Sequence, residues 1–309
     1  DEIQREIITT RFMIAQDPMN REKYDEARTA FREFLVQYPI DSRAPQAAFL
    51  LGLLDYQQDK FVEAIEQWEK VVSKYAGQEF AKNARYHIAM TYELKLNDLE
   101  KAFEIYKKSA EQDGYGPGQN RFNELKRKHL AVITERVLRT DEKPVLHVTA
   151  RNIEKLKFAA YKINMETYFR RHYRFEGIDN LDITLIEPDQ RWEYEVPEYE
   201  KYRYYDKQIE MPLEGPGVWA INVTDDELEA TTMFVVSDLA LITKSTRKEV
   251  FVFAQNLRTR KPYTNVEVLV SDGDKVIASG KTDEEGILHE SIKELKDAGE
   301  ARFFAMHAA

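Results

Sequence analysis

Six histidines, at positions 87, 129, 147, 172, 289 and 307, are the first residues to test for chemistry. No two are close enough in sequence to form a His-Glu-x-x-His pair or a comparable ligand set, so each reads as a core or surface residue and no metal is expected. Cysteine is absent, which removes a thiol nucleophile, Cys-ligated zinc, disulfides and any thioester within these residues. The acids Asp283, Glu284 and Glu285 lie in a turn, but they lack the alternating spacing and the distant Glu of a calcium loop. Residues 113–118, Asp-Gly-Tyr-Gly-Pro-Gly, hold three glycines. A phosphate loop needs a strand before it, a Lys-Ser/Thr after it and free amides, and Pro117 has none to give. The triplet Asn222-Val223-Thr224 fits a glycosylation sequon, yet its flanks read as strand. With no triad, dyad or metal set, an enzyme is not expected, and the expected lists of catalytic residues, cofactors and metals are empty.

One stretch has the composition of an interaction surface. Residues 191–207, RWEYEVPEYEKYRYYDK, place Trp192, Tyr194, Tyr199, Tyr202, Tyr204 and Tyr205 among acids and bases. Large rings with polar tips are enriched where proteins meet proteins. The plainer alternative is a long hairpin whose rings cover a sheet edge or dock on the preceding helices.

The whole-chain balance narrows the partners. Of 309 residues, 43% are apolar and 32% charged, with a formal charge of −10. Nucleic-acid binding needs clustered cations, and the basic runs at 126–128 and 170–174 are short, so a nucleic-acid partner is not expected. No apolar run approaches the roughly 20 residues of a membrane span. The first residues lack the pattern of a signal peptide. A start at Asp1 rather than Met suggests a processed or shortened product, and an end at Ala309, close behind the last strand, suggests a larger protein beyond it.

The elements that would carry these residues change character near 140. Before it, a pattern repeats: Tyr24, Ala27, Phe31 and Pro39; then Phe61, Ala64 and Trp68; then Leu99, Ala102 and Tyr106. The alanines recur at 37 and 38 residues. Partner helices precede two of them, with Leu51-Gly52 ahead of Ala64 and Ile88-Ala89 ahead of Ala102. Small residues let paired helices approach while aromatics fill the space towards the next pair. This arrangement resembles the tetratricopeptide repeat (TPR) family, and its longer period with a Phe-Leu-x-x-Tyr-Pro ending at 34–39 is similar to the subtype of bacterial envelope lipoproteins. Residues 121–138 fit one more amphipathic helix, through Phe122, Leu125, Leu130, Ile133 and Val137, that would cap the stack. Residues 140–144 read as a hinge.

After 144 the pattern is of short strands. Segments starting at 145, 156, 173, 182, 207, 218 and 231 are strand candidates for one antiparallel sandwich, with residues 164–173 open between a helical turn and a crossover. A second sandwich follows, with strands near 249, 263, 275, 286 and 301 and a linker at 237–244. The expected architecture is therefore multidomain α plus β: a TPR-like helical solenoid over 1–140, then antiparallel sandwiches over 144–238 and 239–309.

The second half carries a recognisable frame. Leu257, Thr259, Pro262, Val266 and Val268 fit Leu-x-Thr-x-x-Pro-Val-x-x-Val-x-Val, with Tyr263 in place of the Val after Pro, and Gly280, Thr282, Asp283 and Gly286 fit Gly-x-Thr-Asp-x-x-Gly. Together with Gly-Pro-Gly-Val-Trp at 215–219, this resembles the N-terminal macroglobulin-type domains of bacterial α2-macroglobulin-like proteins over residues 215–305. The resemblance is looser over 145–214 and does not cover the helices. Members of that family trap proteases: cleavage of a bait segment triggers collapse, and in many a Cys-x-Glu-Gln thioester captures the attacker. The resemblance thus implies a non-catalytic, N-terminal part of a protease-trapping inhibitor in the periplasm or cell envelope, its partners being proteases, envelope proteins and the other domains of its own chain. The alternative is an envelope scaffold that uses the same modules without inhibition.

Overall fold

The computed structural model describes residues 2–114, 116–134, 137–174, 183, 186–296 and 300–307. The polypeptide divides into a helical unit, Asp1–Arg127 with Glu200–Arg203, and a β unit, Lys128–Tyr199 with Tyr204–Ala309. Among the described residues no helix is long and apolar enough to cross a membrane.

The helical unit runs α1 (Glu2–Asn20), α2 (Tyr24–Gln37), α3 (Ala44–Gln57), α4 (Phe61–Lys74), α5 (Glu79–Leu94), α6 (Leu99–Gln112) and α7 (Pro117–Lys126), each packed on the next. The 37/38-residue period is written into backbone and core alike. Glu22, Asp59 and Asn97, each just before an even-numbered helix, all have φ near +57°. There the amide after the left-handed residue reaches back to a carbonyl of the preceding helix, as in Lys23 to Pro18 and Lys60 to Asp55, which satisfies otherwise orphaned groups. Ala27, Ala64 and Ala102 are fully buried, as are the rings four residues on, Phe31, Trp68 and Tyr106. The expected solenoid is present.

Helix α7 departs from the expected terminal helix over 121–138. Pro117 opens it at its first turn, where a missing amide costs nothing. It ends at Lys126, and His129–Ile133 is instead strand β1, paired antiparallel with β2 (Val145–Arg151). A short run of Leu, Val and Ile fits helical and strand periods equally, and the open edge of β2 decides it by offering a full ladder of partners.

In the β unit the first sandwich joins a sheet of order β1-β2-β5 to one of order β4-β3-β6-β7, with β3 (Lys155–Ile163), β4 (Gln190–Glu195), β5 (Tyr204–Glu210), β6 (Gly217–Thr224) and β7 (Glu229–Val236). Leu146, Val148, Leu156, Phe158, Ile221, Val223 and Phe234 fill the space between them. The ambiguous stretch at 164–173 is helix α8 (Met165–His172), started by Asn164, whose side chain accepts from the Thr167 amide, and stopped by Tyr173 at φ +61°. The strand candidates beginning at 173 and 182 lie largely outside the described residues, and Ile186–Pro188 is not strand.

The second sandwich pairs β12-β9-β8 with β11-β10-β13: β8 (Leu239–Ser245), β9 (Glu249–Asn256), β10 (Glu267–Ser271), β11 (Val276–Lys281), β12 (Ile287–Ser291) and β13 (Arg302–Met306). The linker expected at 237–244 is mostly strand β8, so only Ser237 and Asp238 join the sandwiches. Asp238 is fixed by bonds from the Thr140 amide and hydroxyl. Burial would raise its pKa, but those bonds outweigh burial and hold the carboxyl below the usual range. Phe169 of α8 stacks on Phe304 of β13, and Arg170 pairs with Glu267, so the first sandwich is braced on the second.

Candidate functional site

The aromatic stretch at 191–207 is divided by the fold rather than gathered on one face. Strand β4 alternates strictly, turning Trp192 and Tyr194 inward and Arg191, Glu193 and Glu195 outward. Trp192 stacks on Phe158 with centroids 5.1 Å apart and planes at 10°. Tyr194 and Tyr205 share a hydroxyl–hydroxyl bond of 2.7 Å and, with Tyr199, pack against the first sandwich core. Burial pushes the Tyr199 and Tyr205 phenols up, the latter helped by Tyr194. Tyr202 belongs to the helical unit, where it stacks on Phe103 at 4.1 Å and 13°, while its neighbour Arg203 donates to the carbonyl and side-chain oxygen of Asn97. Tyr204 alone of the six is more than half exposed, at 53%. It lies edge-on to His129 and beneath the Arg151 guanidinium at 4.5 Å.

In the second sandwich the spaced motif Gly-x-Thr-Asp-x-x-Gly acts as a single corner. Thr282, 3% exposed, donates to the Tyr263 carbonyl at 2.7 Å and accepts from the Val266 amide at 3.0 Å. Asp283 accepts from the amides of Glu285 and Ile287, closing the turn. Gly286 has φ +74°, and a Cβ there would lie 2.6 Å from the Ala254 carbonyl oxygen. Gly280 leaves room for Leu288, whose Cδ1 would be 2.6 Å from an added Cβ. Val266 and Val268 point into the core. Tyr263, where the frame has Val, packs against that core and stacks on His307 at 4.4 Å.

Residues 236–309 match the family model described as bacterial alpha-2-macroglobulin MG3 domain, and residues 12–79 match one described as tetratricopeptide repeat. The chain joins tetratricopeptide repeats to a bacterial α2-macroglobulin MG domain. No curated protein matches it. Among solved structures, native α2-macroglobulin from Escherichia coli spanning domains MG0-NIE-MG1 is similar at 13% identity and a TM-score of 0.44, over 59% of this chain and 62% of that one. This chain thus spans less than two thirds of that structure. Salmonella α2-macroglobulin reacted with methylamine is similar at 13% identity and TM-score 0.40, over 53% of this chain and 10% of its own. The TPR2AB domain of yeast Sti1, in complex with pHSP90, is similar at 16% identity and TM-score 0.34, over 38% of this chain and 45% of its own.

In the MG3 segment the turn acids serve the fold, since the Asp283 carboxylate is spent on two amides and Glu284 and Glu285 are exposed. The histidines are scattered. His147 pairs with Asp206 and holds that carboxyl below its ordinary range, and His289 lies 3.7 Å from Glu249. His172 and His307 lie against Tyr168 and Tyr263. His87 sits in the repeats among Phe49, Trp68 and Tyr86, with its Nδ1 buried and unpaired, and burial pushes its pKa down. Asn222 is in strand β6, its amide donating to Glu229 and Thr231. Within the described residues no group of three His, Asp or Glu side chains could hold a metal ion.

The packing of α1 escaped the sequence reading. Ala15 stands twelve residues before Ala27, as Gly52 stands before Ala64, and it is 1% exposed. Helix α1 is thus the first helix of the first repeat, a relation that the alanine spacing already held.

Proposed function

We propose that this chain is a non-catalytic portion of an α2-macroglobulin-like protease trap, with its repeats serving as a protein-docking module. The observation that carries the reading is the corner built by Thr282, Asp283 and Gly286 within the matched MG3 segment. It is a scaffold feature, and in such a trap these residues would hold the strands of the second sandwich in register while cleavage and capture happen elsewhere. The periplasm or cell envelope is the compartment this reading implies. Tyr204, the exposed ring of the aromatic stretch, is the member of that set proposed to meet a partner.

The test uses the complete gene product and a broad-specificity protease, followed by electrophoresis and small-angle scattering. A trap gives a limited internal cut, a smaller radius of gyration and protease retained with the product. Cutting without compaction or retention refutes trapping. A second reading, an envelope scaffold without inhibition, is favoured by the repeats matched over 12–79, since TPR modules are protein-binding folds. Recovery of assembly partners together with an absence of compaction would select it.

A further inference from the structure

Each odd-numbered helix of the repeats presents one face to the helix before it. In α3 that face includes Ala47 and Leu51, exposed by 0% and 7%, and in α5 it includes Ala81, Ala84 and Ile88, exposed by 2%, 0% and 5%. Ala47 and Leu51 share a core with Phe31 and Phe34 of α2, and Ala81, Ala84 and Ile88 share one with Trp68 and Val71 of α4. Stepping back 37 residues from Ala47 and Leu51 gives Thr10 and Ile14 on α1, and stepping back 74 from Ala81 gives Ile7. Those positions are open: Ile7 is 44% exposed, Ile14 is 56% exposed and Thr10 is exposed. The opposite face of α1, through Phe12 and Ala15, packs in the same core as Phe31 and Ala27 of α2. Helix α1 is therefore half of an interface whose two other copies are complete within the same unit.

We propose that the Ile7, Thr10 and Ile14 face of α1 is a docking site for an amphipathic helix of the α2/α4 type from outside these 309 residues, carrying a small residue, an aromatic four positions on and an aliphatic beyond it. The occupant is argued from continuity. The same positions, one and two repeats later, receive helices of that pattern, Ala27-x-x-x-Phe31-x-x-Phe34 and Ala64-x-x-x-Trp68-x-x-Val71. An apolar stripe of this spacing on a helix is what a helix-in-groove partner recognises. The site deepens the docking part of the proposed function and is independent of protease trapping, so failure of the compaction assay leaves it standing and its own failure leaves trapping standing.

The experiment uses the chain and a fluorescein-labelled, hydrocarbon-stapled peptide with the sequence of residues 61–76, followed by anisotropy. Saturable one-to-one binding is expected, weakened at least about tenfold by Ile14→Glu, which buries a charge in the interface, and unchanged by Val36→Glu on the exposed side of α2. Because the chain has no cysteine, Ile14→Cys labelled with bimane gives a second reading: the tryptophan of the bound peptide should quench it. The far-UV spectrum and melting temperature of Ile14→Glu verify folding, and the bimane signal stands by itself should that variant fail. Absence of saturable binding, binding indifferent to Ile14→Glu without quenching at position 14, or a dimer of the chain itself that Ile14→Glu abolishes would each overturn the proposal, the last by making a second copy the occupant.

Discussion

Substituting Gly52 by Ala should destabilise the helical unit although it lies inside a helix. Propensity alone favours Ala over Gly by about 1 kcal/mol. Here a Cβ would stand 2.4 Å from Nε1 and 2.6 Å from Cδ1 of Trp68, a side chain with no exposed surface. Overpacking of a tight core costs about 1–3 kcal/mol. The indole also donates to the Phe49 carbonyl at 3.1 Å, and displacing it strands a buried donor at about 1–3 kcal/mol. The net expectation is a loss of about 1–5 kcal/mol, opposite in sign to propensity.

The other repeats supply the rescue. Ala15 and Ala89 occupy the place of Gly52, and the facing rings there are Phe31 and Tyr106 rather than Trp68. The smallest residue accompanies the largest ring. Trp68→Phe alone should cost about 1–3 kcal/mol through the space it leaves, while Gly52→Ala with Trp68→Phe restores a pair the fold already uses and should come within about 1 kcal/mol of wild type. Urea unfolding followed at 222 nm reports the helical unit, where α1 to α7 lie. A midpoint raised by Gly52→Ala, or single-variant losses that simply add in the double variant, would refute the packing argument.

Thr282→Val keeps shape but leaves the Val266 amide and Tyr263 carbonyl without their partner, so a loss of about 2 kcal/mol is expected, read as faster hydrogen exchange at Val266. Gly286→Ala should cost more than 1 kcal/mol in strain at φ +74°, beyond its clash with Ala254; thermal unfolding of the second sandwich measures it. His87 is held below its ordinary value of 6.5 by burial, so the unfolded chain takes up its proton first. The stability it contributes is present above pH 6.5 and falls away as the pH drops below that value. His87→Phe should flatten the dependence of the urea midpoint between pH 7.5 and 5, and an unchanged slope would show that His87 does not contribute.

The solenoid was legible because its period recurs in residue type, through Ala27, Ala64 and Ala102 and the rings beyond them. The corner at 280–286 was legible because glycine at a left-handed position and a buried Thr tying two strands leave few substitutes. Strand β1 was not, since five residues with three aliphatics fit either period until β2 supplies a partner. Nor was the split of the aromatic stretch. Tyr204 and Tyr205 are adjacent, yet one residue in a strand is the difference between the outer face, beside Arg151 and His129, and the core, bonded to Tyr194. Composition counts rings without saying which way they turn.

The open face of α1 belongs to a third category. Ile7 and Ile14 are apolar at the positions where a repeat helix should be apolar, so the sequence reads as ordinary core. Their exposure departs from the burial of Leu51 and Ile88 one and two periods on, and only that comparison shows the face as open. Residues that satisfy the local rule and lack the neighbour the rule assumes therefore mark an interaction surface better than the tyrosine-rich stretch, whose unusual composition is largely absorbed by its own sandwich core.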